Sequence, residues 1–513
     1  MQNEVIKPPP LITTKFFASS YFIQHSAFVL IALLALALRL PQLGERPMHT
    51  DEAVNAYITG QLIVGEKYHY DPQDRHGPVL YLLAEPVAQL CGAKNLSDLT
   101  ETELRLTTVI VGSATVLLFG AAVEWFGFLP CLIAALLFAV GPLPVYYSRY
   151  FIHETLFVAA TFALMLCSGR AVKNNSFTFA ALAGLCAALM LACKETAVIH
   201  FFTLGVGAAI CFWLVKPKIQ VLPVKPTLTA LGNFIIASVL LFTWFGQNWS
   251  ALTDLLRAIP NFAARAGGQG HAQPFTYYLG ILDPLFIFLI VAAAGIYAVI
   301  CDAVAGTRRA GLLLAVYTLG IFLIYSAIPY KTPWLALNLW LPLTLLCGLG
   351  VEGVCLQFTS TAGRWIAAVA VALLVLAAGQ QTKTLAFDFP ADEKNPLAYA
   401  HTTADILNLP VRLAEICRER KLSAPRIAVV AKDAWPLPWY LRKFANVGYW
   451  QPGQTTGAAD FFITPTDLDG KLAEQLKDFR PEFFGVRPNV LLILWTPLAT
   501  NPATGASPPP RQP

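Results

Sequence analysis

The sequence predicts a polytopic α-helical membrane protein with about eleven transmembrane helices, followed by a small C-terminal extracytoplasmic α/β domain. Three observations carry that expectation. Only 13% of the 513 residues are charged and 56% are hydrophobic, where soluble domains carry about 25% charged residues. Apolar runs near the length that spans a bilayer, about 20 residues, recur along the first three-quarters of the chain. Beyond residue 380 the long runs give way to short apolar stretches that read as buried strands.

The apolar runs lie near 25–41, 104–123, 128–147, 152–169, 177–193, 197–215, 228–246, 276–300, 311–328, 334–354 and 365–380. The first is followed by "RLPQLGERPMHTDEA", which lacks a small-x-small cleavage site, so it reads as a retained span and not a signal peptide. A twelfth run, 78–91, begins at Pro78 and contains Glu85-Pro86. It reads as a juxtamembrane or re-entrant helix, tolerated where protein covers its backbone. With the N-terminus cytoplasmic, the inside loops hold Lys7, Lys15, Arg170, Lys173, Lys216, Lys218, Lys225, Arg308, Arg309 and Arg364, as the positive-inside rule requires. The expected organisation is a cytoplasmic segment 1–24 and a membrane domain 25–380 with outside loops 42–103 and 247–275. An α/β domain 381–500 and a disordered Pro-rich tail 501–513 follow. In the α/β domain "RIAVVAKD", "DFFITP" and "NVLLILWTP" read as strands, "LAEQLKDF" as a helix, and "WPLPWYLRKF" as a turn into a helix. The expected location is the inner (cytoplasmic) cell membrane, multi-pass, with the chemistry and the C-terminal domain periplasmic or extracellular.

The ten cysteines form no CxxC or Cys/His pattern and read as small hydrophobes, with neither zinc nor disulfides implied. No Gly-rich phosphate loop occurs, and nothing suggests a nucleic-acid partner. No internal repeat is visible and the polar groups gather at span ends, which argues against a secondary transporter.

On this topology every cluster that looks chemical falls on the outside. "MHTDEAVNAY" sets Asp51 and Glu52 at a helix start, with Thr50 as the expected N-cap. An acidic pair favouring the helix dipole is the bland reading, but His49, Tyr57, His69 and His76 flank it. "DPQDRHGPVLYLL" brings Asp74, Arg75 and His76 before a Gly-Pro turn, either as a polar cap or as a charged rim for a phosphate headgroup. "SRYFIHETLF" carries Arg149, His153 and Glu154; charges at membrane depth face a cavity or one another, so an Arg149–Glu154 bridge is one expectation. "LACKETAV" adds Lys194 and Glu195, and "PYKTPWL" adds Tyr330, Lys331 and Trp334. Snorkelling and an aromatic belt would account for these. Outside lysines nevertheless run against the positive-inside bias, and Arg75, Arg149, Lys194 and Lys331 together make a cationic set suited to a phosphate.

The segments "DEAVNAY…HGPVLY…SRYFIHETLF…YKTPWLALN", in that order and sidedness, resemble the GT-C superfamily of membrane glycosyltransferases, especially the protein O-mannosyltransferases and lipid A aminoarabinose transferases. With "NPLAYAHTT" at 395–403 and "KDAWPLPWYLR" at 432–442, they resemble still more a prokaryotic family labelled flippase-activity-associated proteins. The resemblance implies a GT-C fold and transfer of a hexosyl or pentosyl group from a polyprenyl-phosphate donor to an extracytoplasmic lipid, glycan or protein. It implies Asp51 as general base with Glu52 as its partner, Arg149 and Glu154 as the pair ordering the site, and Lys194 near the donor phosphate. From the residues themselves, Arg75 and Lys331 join the phosphate set, and His76, Tyr57, His153, Glu195 and Tyr330 are candidate substrate contacts. An inverting transfer needs one base and a stabilised leaving group, so no metal or other cofactor is expected. A divalent cation on Asp51, His153 and Glu154, in an oligosaccharyltransferase, is the minor alternative. A non-catalytic partner of a lipid-linked-sugar flippase is another.

Overall fold

The computed structural model describes residues 21–498 apart from 74, 216–222, 268–270, 283–285, 306–308, 358–359 and 469. The N-terminal segment up to residue 20, Asp74, Lys216, Lys218, Arg308, the Gly-rich centre of loop 247–275 and the tail lie outside the described residues.

Nineteen α-helices and five strands are described. The helices are α1 (Tyr21–Arg39), α2 (Thr50–Ile63), α3 (Val79–Leu90), α4 (Glu101–Phe126), α5 (Phe128–Val140), α6 (Pro142–Ser148), α7 (Glu154–Asn174), α8 (Phe177–Leu191), α9 (Ala197–Val215) and α10 (Val224–Phe242), followed by α11 (Ala251–Arg265), α12 (Tyr277–Leu282), α13 (Phe286–Ala305), α14 (Arg309–Ala327), α15 (Leu337–Gln357), α16 (Thr361–Lys383), α17 (Asn408–Glu419), α18 (Leu437–Tyr440) and α19 (Gly470–Gln475). Each of the eleven apolar runs carries helix. Seven helices among the described residues are long and apolar enough to cross a membrane, and α5 with α6 makes an eighth, bent by 53°. The apolar parts of α1, α8 and α13 are shorter, which is why the count by length falls below eleven. The run 78–91 is the twelve-residue α3, too short to span, with Pro86 inside it.

The bend between α5 and α6 has an identifiable cause. Pro142 has no N–H to give the Phe138 carbonyl, and a proline ring disrupts the turn before it. Arg39, fully buried, donates to both freed carbonyls, Phe138 O at 3.1 Å and Ala139 O at 2.8 Å, and to Ser148 Oγ at 2.7 Å. The C-terminus of α1 therefore completes the hydrogen bonding of a broken span a hundred residues away.

The C-terminal residues form a small sheet domain with β1 (Arg426–Val430), β2 (Asn446–Trp450), β3 (Phe461–Pro465), β4 (Phe479–Arg487) and β5 (Val490–Pro497) in the order β2-β1-β3-β5-β4. β1 is parallel to β2 and β3, and β5 is antiparallel to β3 and β4. The three inner strands are the three visible in the sequence. The two edges, β2 with its Gly448 and β4 with Arg480-Pro481-Glu482, lack an unbroken apolar run, and proline in a sheet is confined to such edges.

This domain is not tethered loosely. One apolar core runs from α2, α3 and the first turn of α7 through α18, β1 and β3. Tyr440 Oη accepts from Met48 N at 2.7 Å, Thr402 Oγ1 donates to Met48 O at 2.7 Å, and Trp439 Nε1 donates to Glu101 at 2.7 Å. Arg442 donates to Leu99 O while its guanidinium covers the Trp439 ring at 3.6 Å.

Candidate functional site

The site begins with a loop that has almost no regular structure, residues 40–49, held by three arginines. Arg105 of α4 donates to Leu43 O and Arg46 O, both at 2.9 Å, and forks onto Glu52 at 2.7 and 2.8 Å. Arg149 donates to Arg39 O at 2.9 Å, Pro41 O at 2.5 Å and Gln42 O at 3.3 Å, and stacks over Phe387. Arg46 lies over the Tyr146 and Tyr150 rings and reaches Arg149 O.

This scaffold separates Asp51 from Glu52. The N-cap of α2 is His49, one residue before the expected Thr50: its Nδ1 accepts from Asp51 N at 3.0 Å, and Glu52 returns a bond from His49 N at 3.2 Å, a reciprocal capping arrangement. Glu52 is wholly buried and also accepts from Phe151 N at 2.8 Å. Burial alone would raise its pKa, but Arg105 and Arg46 overcome this and hold it at about 2. Asp51, one residue away, is half exposed, its carboxylate 4.0 Å from the His49 ring. Burial pushes the His49 pKa down against the pull of Asp51 and Glu52, and its Nδ1 is already an acceptor, so Asp51 faces a neutral imidazole.

Asp51 opens onto a cavity of about 1110 Å³ at one end of the helix bundle. Arg75, His76, His153 and Glu154 line it, as do Lys194, Glu195 and Tyr330. Glu154, at the first turn of α7, forms a close ion pair with Lys194, which follows α8. Glu195 accepts from Tyr70 Oη at 2.6 Å and lies 2.9 Å from His76 Nδ1. Burial would raise the Glu195 pKa, but His76 and Tyr70 bring it below the usual range. Gly77 is required here, since a Cβ would meet the Ala192 carbonyl at 2.4 Å. Helix α11, from the loop 247–275, walls the cavity with Phe262, whose ring stacks on His76, and with Arg265.

Four expected site residues lie elsewhere. Glu52 partners Arg105, not Asp51. Arg149 does not bridge to Glu154, whose partner is Lys194; its donors are spent on carbonyls of the 39–42 turn, and burial with neighbouring Arg46 and Arg105 pushes its pKa down to about 9. Lys331 is buried and donates to Gln273 O at 3.0 Å and Ile328 O at 2.6 Å, fastening Gln273 to the turn that follows α14. Tyr57 packs edge-on against Trp435, one layer behind the cavity wall. Conversely, the cavity is lined by Arg265, His271, Asp433 and Trp435, which sequence reasoning did not select as site residues. The signal for the last two was present in "KDAWPLPWYLR", a polar–aromatic turn in an otherwise buried region. Among the described residues no three His, Cys, Asp or Glu side chains converge as metal ligands, and the Asp51, His153, Glu154 trio does not gather into such a set.

The helical bundle with its bent span and its docked C-terminal sheet domain has a GT-C type fold. Residues 75–244 match the sequence profile of the family described as Dolichyl-phosphate-mannose-protein mannosyltransferase. The chain superposes on ArnT from Cupriavidus metallidurans bound to undecaprenyl phosphate with a TM-score of 0.61 at 14% identity, covering 91% of this chain and 97% of that one. The apo state of the same protein gives 0.63 with the same identity and coverage. The oligosaccharyltransferase AglB from Archaeoglobus fulgidus, in complex with an inhibitory peptide and a dolichol-phosphate, gives 0.54 at 13% identity over 93% of this chain and 76% of that chain. At such identities the likeness is one of fold. No curated protein matches the sequence.

Proposed function

We propose that this protein is a membrane glycosyltransferase that moves a sugar from a polyprenyl-phosphate donor to an acceptor on the far side of the membrane from the cytoplasm. The observation that carries the reading is the contrast at the cavity mouth: a half-exposed Asp51 beside a neutral His49, with Arg75 and the Lys194–Glu154 pair on the same cavity wall. The likeness to ArnT bound to undecaprenyl phosphate and to AglB with a dolichol-phosphate supports a lipid-phosphate donor. The likeness to the flippase-activity-associated family rests on the quoted sequence segments.

In this mechanism Asp51 takes the proton of the acceptor nucleophile as it attacks the anomeric carbon, and the C–O bond to the lipid phosphate breaks. Arg75 and Lys194 stabilise the negative charge that accumulates on the departing phosphate, a role in which preorganised cations act most strongly in a water-poor site. Glu154 holds Lys194 in position. Arg149 orders the turn that leads to Asp51, and Lys331 braces the opposite wall. Orientation follows the cations: Arg170 and Lys173 end α7 at the end opposite Glu154, as expected of a cytoplasmic face.

The test is transfer by the purified protein in detergent from a panel of radiolabelled polyprenyl-phosphate sugars. Consumption of one donor that vanishes in Asp51→Asn supports an enzyme with that base. Retained lipid-sugar binding without consumption of any donor would overturn it in favour of a flippase partner. Activity abolished by chelation and restored by a divalent cation would point to the metal-dependent alternative.

A further inference from the structure

One buried polar atom in the cavity wall has no role in the mechanism above. His153 is 2% exposed, lies between the C-terminus of α6 and the start of α7, and lines the cavity. Its ring meets the edges of His76 and Tyr81 at centroid distances of 5.2 and 5.6 Å. One ring nitrogen bonds to the Gly77 backbone in a contact that favours the protonated ring. That is the signature of an N–H donated to a carbonyl. The other nitrogen, Nε2, is buried and without a hydrogen-bond partner among the described residues. Burial, with His76 and Lys194 nearby, drives the His153 pKa well below its ordinary value. The ring is therefore neutral, with one tautomer fixed and an unused lone pair on Nε2. A lone pair buried without a partner is costly, and such groups are rare enough to require an explanation. The Thr50 hydroxyl, beside Asp51 in the wall of the same cavity, is another buried polar atom without a partner among the described residues.

Resting on the glycosyltransferase reading, we infer that His153 Nε2 is a sugar-recognition atom: it accepts a hydrogen bond from one hydroxyl of the transferred sugar and so selects the donor. A neutral acceptor in a fixed tautomer suits a hydroxyl and not a phosphate oxygen, which has no proton to give. The requirement is strict because a donor lacking that hydroxyl would leave Nε2 unpaired in the closed complex, and sites built to bond a particular hydroxyl reject analogues without it far better than apolar pockets reject extra bulk. The Glu195–His76–Phe262 stack behind the ring keeps it from turning away.

The experiment measures kcat/KM for the accepted polyprenyl-phosphate sugar and each of its monodeoxy analogues, with wild type, His153→Gln and His153→Phe. Binding of sugar-free polyprenyl phosphate reports the fold of each variant. The expected result is one deoxy position at which wild type loses roughly 10–100-fold, as one buried hydrogen bond implies, and at which His153→Phe shows no discrimination, while both variants bind the bare lipid phosphate as wild type does. Equal discrimination in wild type and His153→Phe at every position would overturn the inference, as would a wild type indifferent to every deoxy analogue. If wild type consumes no donor at all, the glycosyltransferase reading fails first. If His153→Phe no longer binds the bare lipid, His153→Gln decides between the two results.

Discussion

Asp51 and Glu52 are chemically near-identical neighbours with opposite environments. Glu52 meets Arg105, Arg46 and a backbone N–H in a site closed to water; Asp51 looks into the cavity with a neutral imidazole for company. The same division runs through this whole end of the bundle. Around the 39–46 turn and Glu52, the Arg105 and Arg149 side chains donate to backbone carbonyls or to the Glu52 carboxylate, whereas the cavity wall also holds groups such as Asp51 and His153 that are not so committed. The comparison teaches that commitment to the backbone of the 39–52 segment marks support. The groups available for chemistry are those that the support leaves underemployed.

The largest effect comes from collapsing the first region. Glu52→Gln leaves the Arg105 guanidinium buried without its carboxylate, a change that costs about 3–5 kcal/mol, and is expected to lower the thermal midpoint in detergent sharply. Asp51→Asn is expected to leave that midpoint near wild type and to remove a proton acceptor worth about 10²–10⁴-fold in rate; a large drop in midpoint would mean that Asp51 belongs to the scaffold. Acid sharpens the contrast further. The Glu52 pKa falls from 4.5 in the unfolded chain to about 2 in the folded protein. Its contribution is therefore complete above about pH 4.5 and is lost as pH drops toward 2, a loss of roughly 3 kcal/mol. Unfolding of wild type should steepen in that window and that of Glu52→Gln should not. Arg149→Lys cannot reach three carbonyls at once and should cost about 1–3 kcal/mol of stability while leaving the donor KM unchanged. A KM increase at constant stability would return Arg149 to the phosphate. The smallest effect, about 1 kcal/mol, is expected for Tyr57→Leu, which removes only the edge contact with Trp435 and is read by the same thermal scan.

Much of this was legible in the residues. Each described helix long and apolar enough to cross a membrane lies on one of the apolar runs, and the gathering of His153, Glu154, Lys194 and Glu195 around one cavity followed from where those runs end. What the chain could not disclose is which way a side chain turns. Arg149 and Glu154 are five residues apart and of opposite sign, yet a turn separates them and each finds a partner more than thirty residues distant, Arg149 among the 39–42 carbonyls and Glu154 at Lys194. Lys331 had the composition of a phosphate ligand, but the Ala272–Tyr330 bridge aims it at carbonyls. The role of Asp433 and Trp435 was hidden because it depends on how the sheet domain docks, and no local pattern encodes that.

The docking bond at Met48 has a consequence in time as well as space. Met48, three residues before Asp51, is held by Thr402 and Tyr440, which lie 354 and 392 positions later in the chain. A ribosome delivers the first-loop carboxylate to the membrane long before it delivers the groups that fix it. During synthesis the nascent protein thus carries Asp51 on a loop not yet fastened, and the fastening groups arrive only once the chain has passed β1 and α18 and this part has folded back.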